Sequence, residues 1–187
     1  MDEMLGRAVS PFGRIRPQST RLPGQDVSPG DLAAGNLVTK ALQALAAGDD
    51  DRAEQMITRA TRLPYDRSEQ WWPVLNAASM ALFDAVVDAM EESDDDDWLR
   101  AAFELLDSVD PVVAETMDQI LRIVRQDYPL HHAEERAITR RIGRRGPGRE
   151  GLPDPWGPEE APAALAAVTR SLLEGVMAYD RALPPGL

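Results

Sequence analysis

The sequence predicts an all-α protein of about seven helices, paired as antiparallel hairpins in a short α-solenoid or an irregular helical bundle. Three observations carry this. Apolar residues recur at i, i+3, i+4 and i+7 in successive segments. No segment alternates with period two, and β-branched runs are absent. The periodic segments are bounded by capping residues, glycines and prolines. At 187 residues, with 43 % apolar and 28 % charged residues, the chain can bury one sizeable core.

Residues 1–27 read as a flexible arm, with Pro11, Pro17 and Pro23 and no apolar period. Order is expected from residue 28. Ser28, Pro29 and Asp31 have the chemistry of an N-cap, a first-turn proline and a capping-box acid. The first helix should run to about Ala47 on a stripe of Val38, Ala41, Leu42 and Leu45, with Gly48 ending it. Asp49 to Asp51 cap a second helix, striped by Ala53, Met56, Ile57 and Ala60 and stopped by Pro64. The third should start between Ser68 and Trp72, since Pro73 is tolerated only in a first turn. It has two stripes, one through Leu75, Leu82 and Val86 and one through Met80, Phe83, Val87 and Met90, and so should be central.

Asp94 to Asp97 form the next turn, with Asp97 as the expected cap of a fourth helix lined by Leu99, Ala102, Phe103 and Leu106. Asp110-Pro111 starts the fifth, striped by Val113, Met117, Ile120, Leu121 and Val124 and broken at Tyr128-Pro129. A weaker sixth helix covers about 130–142, with Gly143 beyond its end. The helical domain is thus 28–142. Residues 143–158, rich in Gly, Pro and Arg, read as a linker. In the segment 159–187, Leu165, Val168, Leu172, Val176 and Tyr179 stripe a last helix, expected to dock on the domain and to end at Pro184-Pro185.

The stretch from Gly48 to Pro64, GDDDRAEQMITRATRLP, resembles the second half of a tetratricopeptide repeat. Gly48-Asp49 stand at its turn, and Ala53, Ile57, Ala60 and Leu63 at its alternating small and large packing positions. A second partial match covers 99–111, through Phe103, Val109, Asp110 and Pro111, with Leu99 and Leu106 where the repeat has small residues. The resemblance implies stacked helical hairpins that bind other proteins.

Composition narrows the function. The formal charge is −12, and residues 65–127 hold sixteen acids against four bases. Such a chain is a poor general binder of nucleic acid or of anionic membrane. There is no cysteine, which excludes disulfides, thiolate nucleophiles and Cys-ligated metals. No apolar run is read as membrane-spanning, and acids stand at the N-terminus where a signal peptide has bases, so a cytoplasmic location is expected. No Gly-rich phosphate loop or nucleophile elbow occurs, and no cofactor is expected.

The leading expectation is therefore a non-catalytic adaptor, scaffold or regulatory protein, with a groove between its first four helices as the docking surface. Trp71 and Trp72 are candidate aromatic anchors. Asp94, Asp95 and Asp96 are candidate steering charges for a basic partner segment, or for the chain's own arginine collar at Arg140 to Arg149. The alternative is a Mg²⁺-dependent enzyme. Glu91, Glu92, Glu115 and Asp118 faintly resemble the paired-carboxylate motifs of all-α nucleotide pyrophosphohydrolases, which would hold the metal through oxygen ligands. Their convergence in one cleft would decide for it. His131, His132, Glu134 and Glu135 are the one further ligand-like group, with first-turn stabilisation of a helix as the plainer account.

Overall fold

The computed structural model describes residues 29–63, 72–93, 95–145 and 161–185. They form seven α-helices and, among the described residues, no strand: α1 Pro29–Ala46, α2 Asp50–Thr61, α3 Trp72–Glu92, α4 Asp97–Leu106, α5 Pro111–Asp127, α6 His132–Arg145 and α7 Ala161–Ala182. The protein is all-α. The arm at 1–27, its Ser28 cap and most of the linker at 143–158 lie outside the described residues.

The α1–α2 turn follows from two residues. Gly48 has φ +72°, a conformation that costs glycine nothing. This lets Asp49 N–H reach the Ala44 carbonyl and Gly48 N–H reach the Leu45 carbonyl, closing α1 in a Schellman motif. Asp49 then caps α2, its Oδ1 accepting from Arg52 N–H at 3.1 Å. At α5, Asp110 Oδ1 accepts from the backbone of Val112 and Val113 at 2.8 and 3.3 Å, ahead of Pro111 in the first turn.

Three local expectations need correction. Asp96, not Asp97, occupies the N-cap position of α4, and its side chain makes no capping hydrogen bond. Asp97 instead pairs with Arg100 at 2.9 Å. The sixth helix starts at His132 and passes through Gly143 to Arg145. Glycine costs a helix only about 1 kcal/mol relative to alanine, and the favourable formers around it carry the turn. Finally, Pro73–Glu92, 20 residues of mean hydropathy 1.3, is by length and composition apolar enough to cross a bilayer, contrary to the sequence reading. Here it is a packed helix, with Val74, Leu75, Leu82, Phe83 and Val86 all buried.

The core has two sectors. One is built by Val38, Ala41 and Leu45 of α1, Ala53, Ile57 and Ala60 of α2, Val74 and Ala78 of α3, and Leu172 and Leu173 of α7. The other joins the rest of α3 to Trp98, Leu99 and Leu106 of α4, Met117 and Leu121 of α5, Ile138 and Ile142 of α6, and Val176 and Tyr179 of α7. Among the described residues, only α3 and α7 contribute buried side chains to both sectors. At 21 and 22 residues they are each about 30 Å long, which is the reach this requires. The last helix packs against every one of α1 to α5. The inner face of the first four helices is thereby covered by the chain's own C-terminal helix, and the open groove expected there is filled.

Close packing of α7 depends on Gly175. A β-carbon there would stand 3.2 Å from both methyl groups of Val113, tighter than ordinary contact. Polar links complete the junction. Tyr179 donates its hydroxyl to the Trp98 carbonyl at 3.0 Å. Arg170 of α7 meets Asp50 at 2.8 Å and Glu54 at 3.5 Å on α2, and Glu174 at 2.8 Å on its own helix.

Candidate functional site

The C-terminal turn of α3 and the start of α4 form an acidic edge. Glu91 and Glu92 end α3 and are exposed, and Asp95 and Asp96 are exposed in the turn that follows. These four carboxylates fall within six successive positions, and no cation pairs with any of them among the described residues. Asp97, the next described acid, pairs with Arg100. The turn has local order: Ser93 donates its hydroxyl to the Asp95 carbonyl at 2.7 Å.

Immediately beside this edge the backbone is anchored. Trp98 is 1 % exposed, and its Nε1–H donates to Glu134 Oε1 at 3.2 Å. The second oxygen of Glu134 accepts from His131 N–H at 2.6 Å, the reach-back contact of a capping box. One carboxylate thus closes the start of α6 and satisfies a buried indole of α4. A pure pattern reading passes over Trp98, because its partners lie at positions 134 and 179. The signal that could have found it is the glutamate three residues beyond a helix-entry residue.

At the opposite end of α4, Arg141 of α6 bonds Asp107 and its guanidinium carbon stands 5.6 Å from the centroid of the Phe103 ring. With Trp98–Glu134 at one end and Asp107–Arg141 at the other, α4 and α6 run in the same direction. The outer side of α6 carries Arg136, Arg140 and Arg144, all exposed, opposite the buried Ile138 and Ile142.

The expected site residues are distributed as follows. Trp71 and Asp94 lie outside the described residues. Trp72 is the first residue of α3, and its side chain also lies outside them. Asp95 and Asp96 stand together on the acidic edge. Of the alternative metal set, Glu91 and Glu92 are exposed on that edge. Asp118 is buried and bound to Arg122 at 2.7 Å, and Glu115 is half-buried with Oε1 unpartnered. Among the described residues, no three His, Asp or Glu side chains come together to hold a metal. At α6, Glu134 is turned inward while both imidazoles lie in solvent, with His132 3.9 Å from Glu135.

A cleft of about 400 Å³ opens between the α4–α5 turn and α7, lined among others by Glu104, Asp110, Glu174, Gly175 and Arg181. Its carboxylates are already employed in part: Asp110 caps α5 and Glu174 holds Arg170. On α3, Asp84 is raised to about 6 by burial and, second, by the neighbouring Asp88. Burial also drives the Tyr179 phenol upward, helped by Asp180.

Comparison with protein-family models, with curated proteins and with solved structures finds no match for this chain.

Proposed function

We propose that this chain is a non-catalytic helical docking protein whose acidic α3–α4 edge receives a basic segment of a partner protein. The observation that supports this is the set of exposed carboxylates on Glu91, Glu92, Asp95 and Asp96, none with a cationic partner among the described residues. Four like charges this close repel one another and add little to folding, so they are available to an incoming cation. The edge is also held in place: Trp98, two residues beyond Asp96, is locked to α6 and α7. A rigid edge loses less freedom on binding than a loose loop. The resemblance of residues 48–64 to the second half of a tetratricopeptide repeat points to the same class of function.

The test is binding of a fluorescent arginine-rich peptide. The triple variant Glu91→Gln, Glu92→Gln, Asp95→Asn is compared with Asp51→Asn, Asp127→Asn, Asp180→Asn, which changes net charge equally at exposed positions elsewhere. The edge variant should bind about tenfold more weakly than the control, the sum of a few exposed ion pairs. Equal losses in both would reduce the effect to net charge and end the docking reading.

A further inference from the structure

We propose that this chain pairs with a second copy of itself, the outer arginine ridge of α6 in one copy lying on the acidic α3–α4 edge of the other. The proposal rests on the reading of that edge as a dock for a basic segment and names the segment.

The ridge is defined by spacing and exposure. Arg136, Arg140 and Arg144 recur every four residues, a rise of about 6 Å per step. They project opposite Ile138 and Ile142, which face the core. None makes an ion pair or hydrogen bond among the described residues, whereas the inward-leaning Arg141 is committed to Asp107 and Phe103. In a chain of net charge −12, three guanidinium groups on one helix face without a partner among the described residues are a concentrated exception. Gly143 sits between the last two, with open space around its Cα, so another surface can approach closely.

The described part of the ridge does not close on its own acidic edge. The Trp98–Glu134 bond holds the start of α6 beside that edge. Arg140 and Arg144 lie six and ten residues further along α6, about 9 and 15 Å away along its axis. The Asp107–Arg141 contact fixes this direction at the other end. A surface that carries an acidic patch and a separate basic one can be self-complementary about a two-fold axis, each patch of one copy meeting the opposite patch of the other. Two copies related in that way place three arginines against four carboxylates twice over. The overall negative charge opposes approach from afar, but at physiological salt it is screened beyond about 8 Å, leaving the short-range pairs to act.

Sedimentation of the full chain, up to about 1 mM, tests the pairing in the range where exposed ion pairs register. The wild-type chain should dimerise at about 0.15 M salt and revert to monomer at about 1 M, where the Debye length is near 3 Å. A ridge variant (Arg136→Glu, Arg140→Glu, Arg144→Glu) and an edge variant (Glu91→Arg, Glu92→Arg, Asp95→Arg, Asp96→Arg) should each be monomeric alone. Mixed, they should form a heterodimer, because both contacts are restored with reversed sign at one of them. A wild-type chain that stays monomeric, a dimer that survives in either variant, or a mixture that does not associate overturns the proposal. Circular dichroism monitors folding. Should a reversal variant unfold, the neutral triple Arg136→Gln, Arg140→Gln, Arg144→Gln replaces it: loss of the dimer supports the pairing and retention overturns it. The arginine-peptide assay separates this from the docking reading. Edge-dependent peptide binding without self-association would remove the pairing alone. Heterodimerisation without edge-dependent peptide binding would remove the general dock and leave the pairing.

Discussion

The indole of Trp98 and the carboxylate of Glu134 are bonded at 3.2 Å across 36 positions of the chain. Both groups are buried, and Glu134 also serves His131 N–H. Glu134→Ala leaves two donors without an acceptor, which should cost about 2–4 kcal/mol. Glu134→Gln keeps one carbonyl oxygen and should cost about half as much. Urea unfolding monitored by circular dichroism measures both. An alanine variant within about 0.5 kcal/mol of wild type would show that water replaces the carboxylate.

Tyr179 is fully buried, and its hydroxyl is spent on the Trp98 carbonyl. Tyr179→Phe keeps the ring and removes the donor, so the expected loss is about 1–2 kcal/mol with an unchanged denaturant slope. A changed slope would instead mean that α7 had loosened as a whole.

Arg170 gathers Asp50, Glu54 and Glu174 around one guanidinium. Hydrogen bonds to Glu174 and then Asp50 hold its charge more firmly than usual. Because the cluster is partly solvated, Arg170→Met should cost only about 1 kcal/mol at low salt, and the difference should vanish as salt approaches 1 M. A loss that persists at high salt would assign the effect to packing of the arginine stem.

Asp84 gives a pH signature. Its folded value, raised to about 6 by burial and then by Asp88, exceeds the unfolded value of about 3.9. The folded state therefore holds an extra proton between those values, and stability falls as pH rises from about 4 through about 6. Asp84→Asn removes this slope. After discounting for solvent screening of a half-buried group, the variant should be about 1 kcal/mol more stable than wild type at pH 7 and no more stable at pH 4. Parallel melts at the two pH values decide it.

The legible parts of this fold are those governed by neighbours in sequence. Gly48-Asp49 and Asp110-Pro111 announce their turns because a positive φ and a capping carboxylate are local requirements. The stripes of α2 and α5 follow because one face of each is buried, with Ala53, Ile57 and Ala60 on one and Met117, Leu121 and Val124 on the other. The acidic edge was legible in part: Asp95 and Asp96 stand out as successive acids, whereas Glu91 and Glu92, within the same six positions, were read as part of a metal set instead. The α4 start was not. Four successive aspartates offer the same chemistry, and which one sits at the cap depends on where Trp98 is pulled. The covering of the first four helices by α7 was equally hidden. Periodicity shows that Leu172, Val176 and Tyr179 need burial but not that Thr169 and Leu173 are buried as well. The face they widen is what lets α7 touch both core sectors.

The position of α7 bears on how the protein comes into being. During synthesis, α1 to α6 leave the ribosome first, yet α7, one of the two helices that bridge both core sectors, is the last of the seven made. Until residues 161–182 emerge, the core lacks Leu172 and Leu173 in one sector and Val176 and Tyr179 in the other, and the nascent chain shows sticky surface to the cell. Contacts that join distant parts of a chain also slow its closure. The interval before α7 arrives is when a chaperone has most to hold and a protease most to cut, and a chain that lost this helix to a premature stop would never leave it.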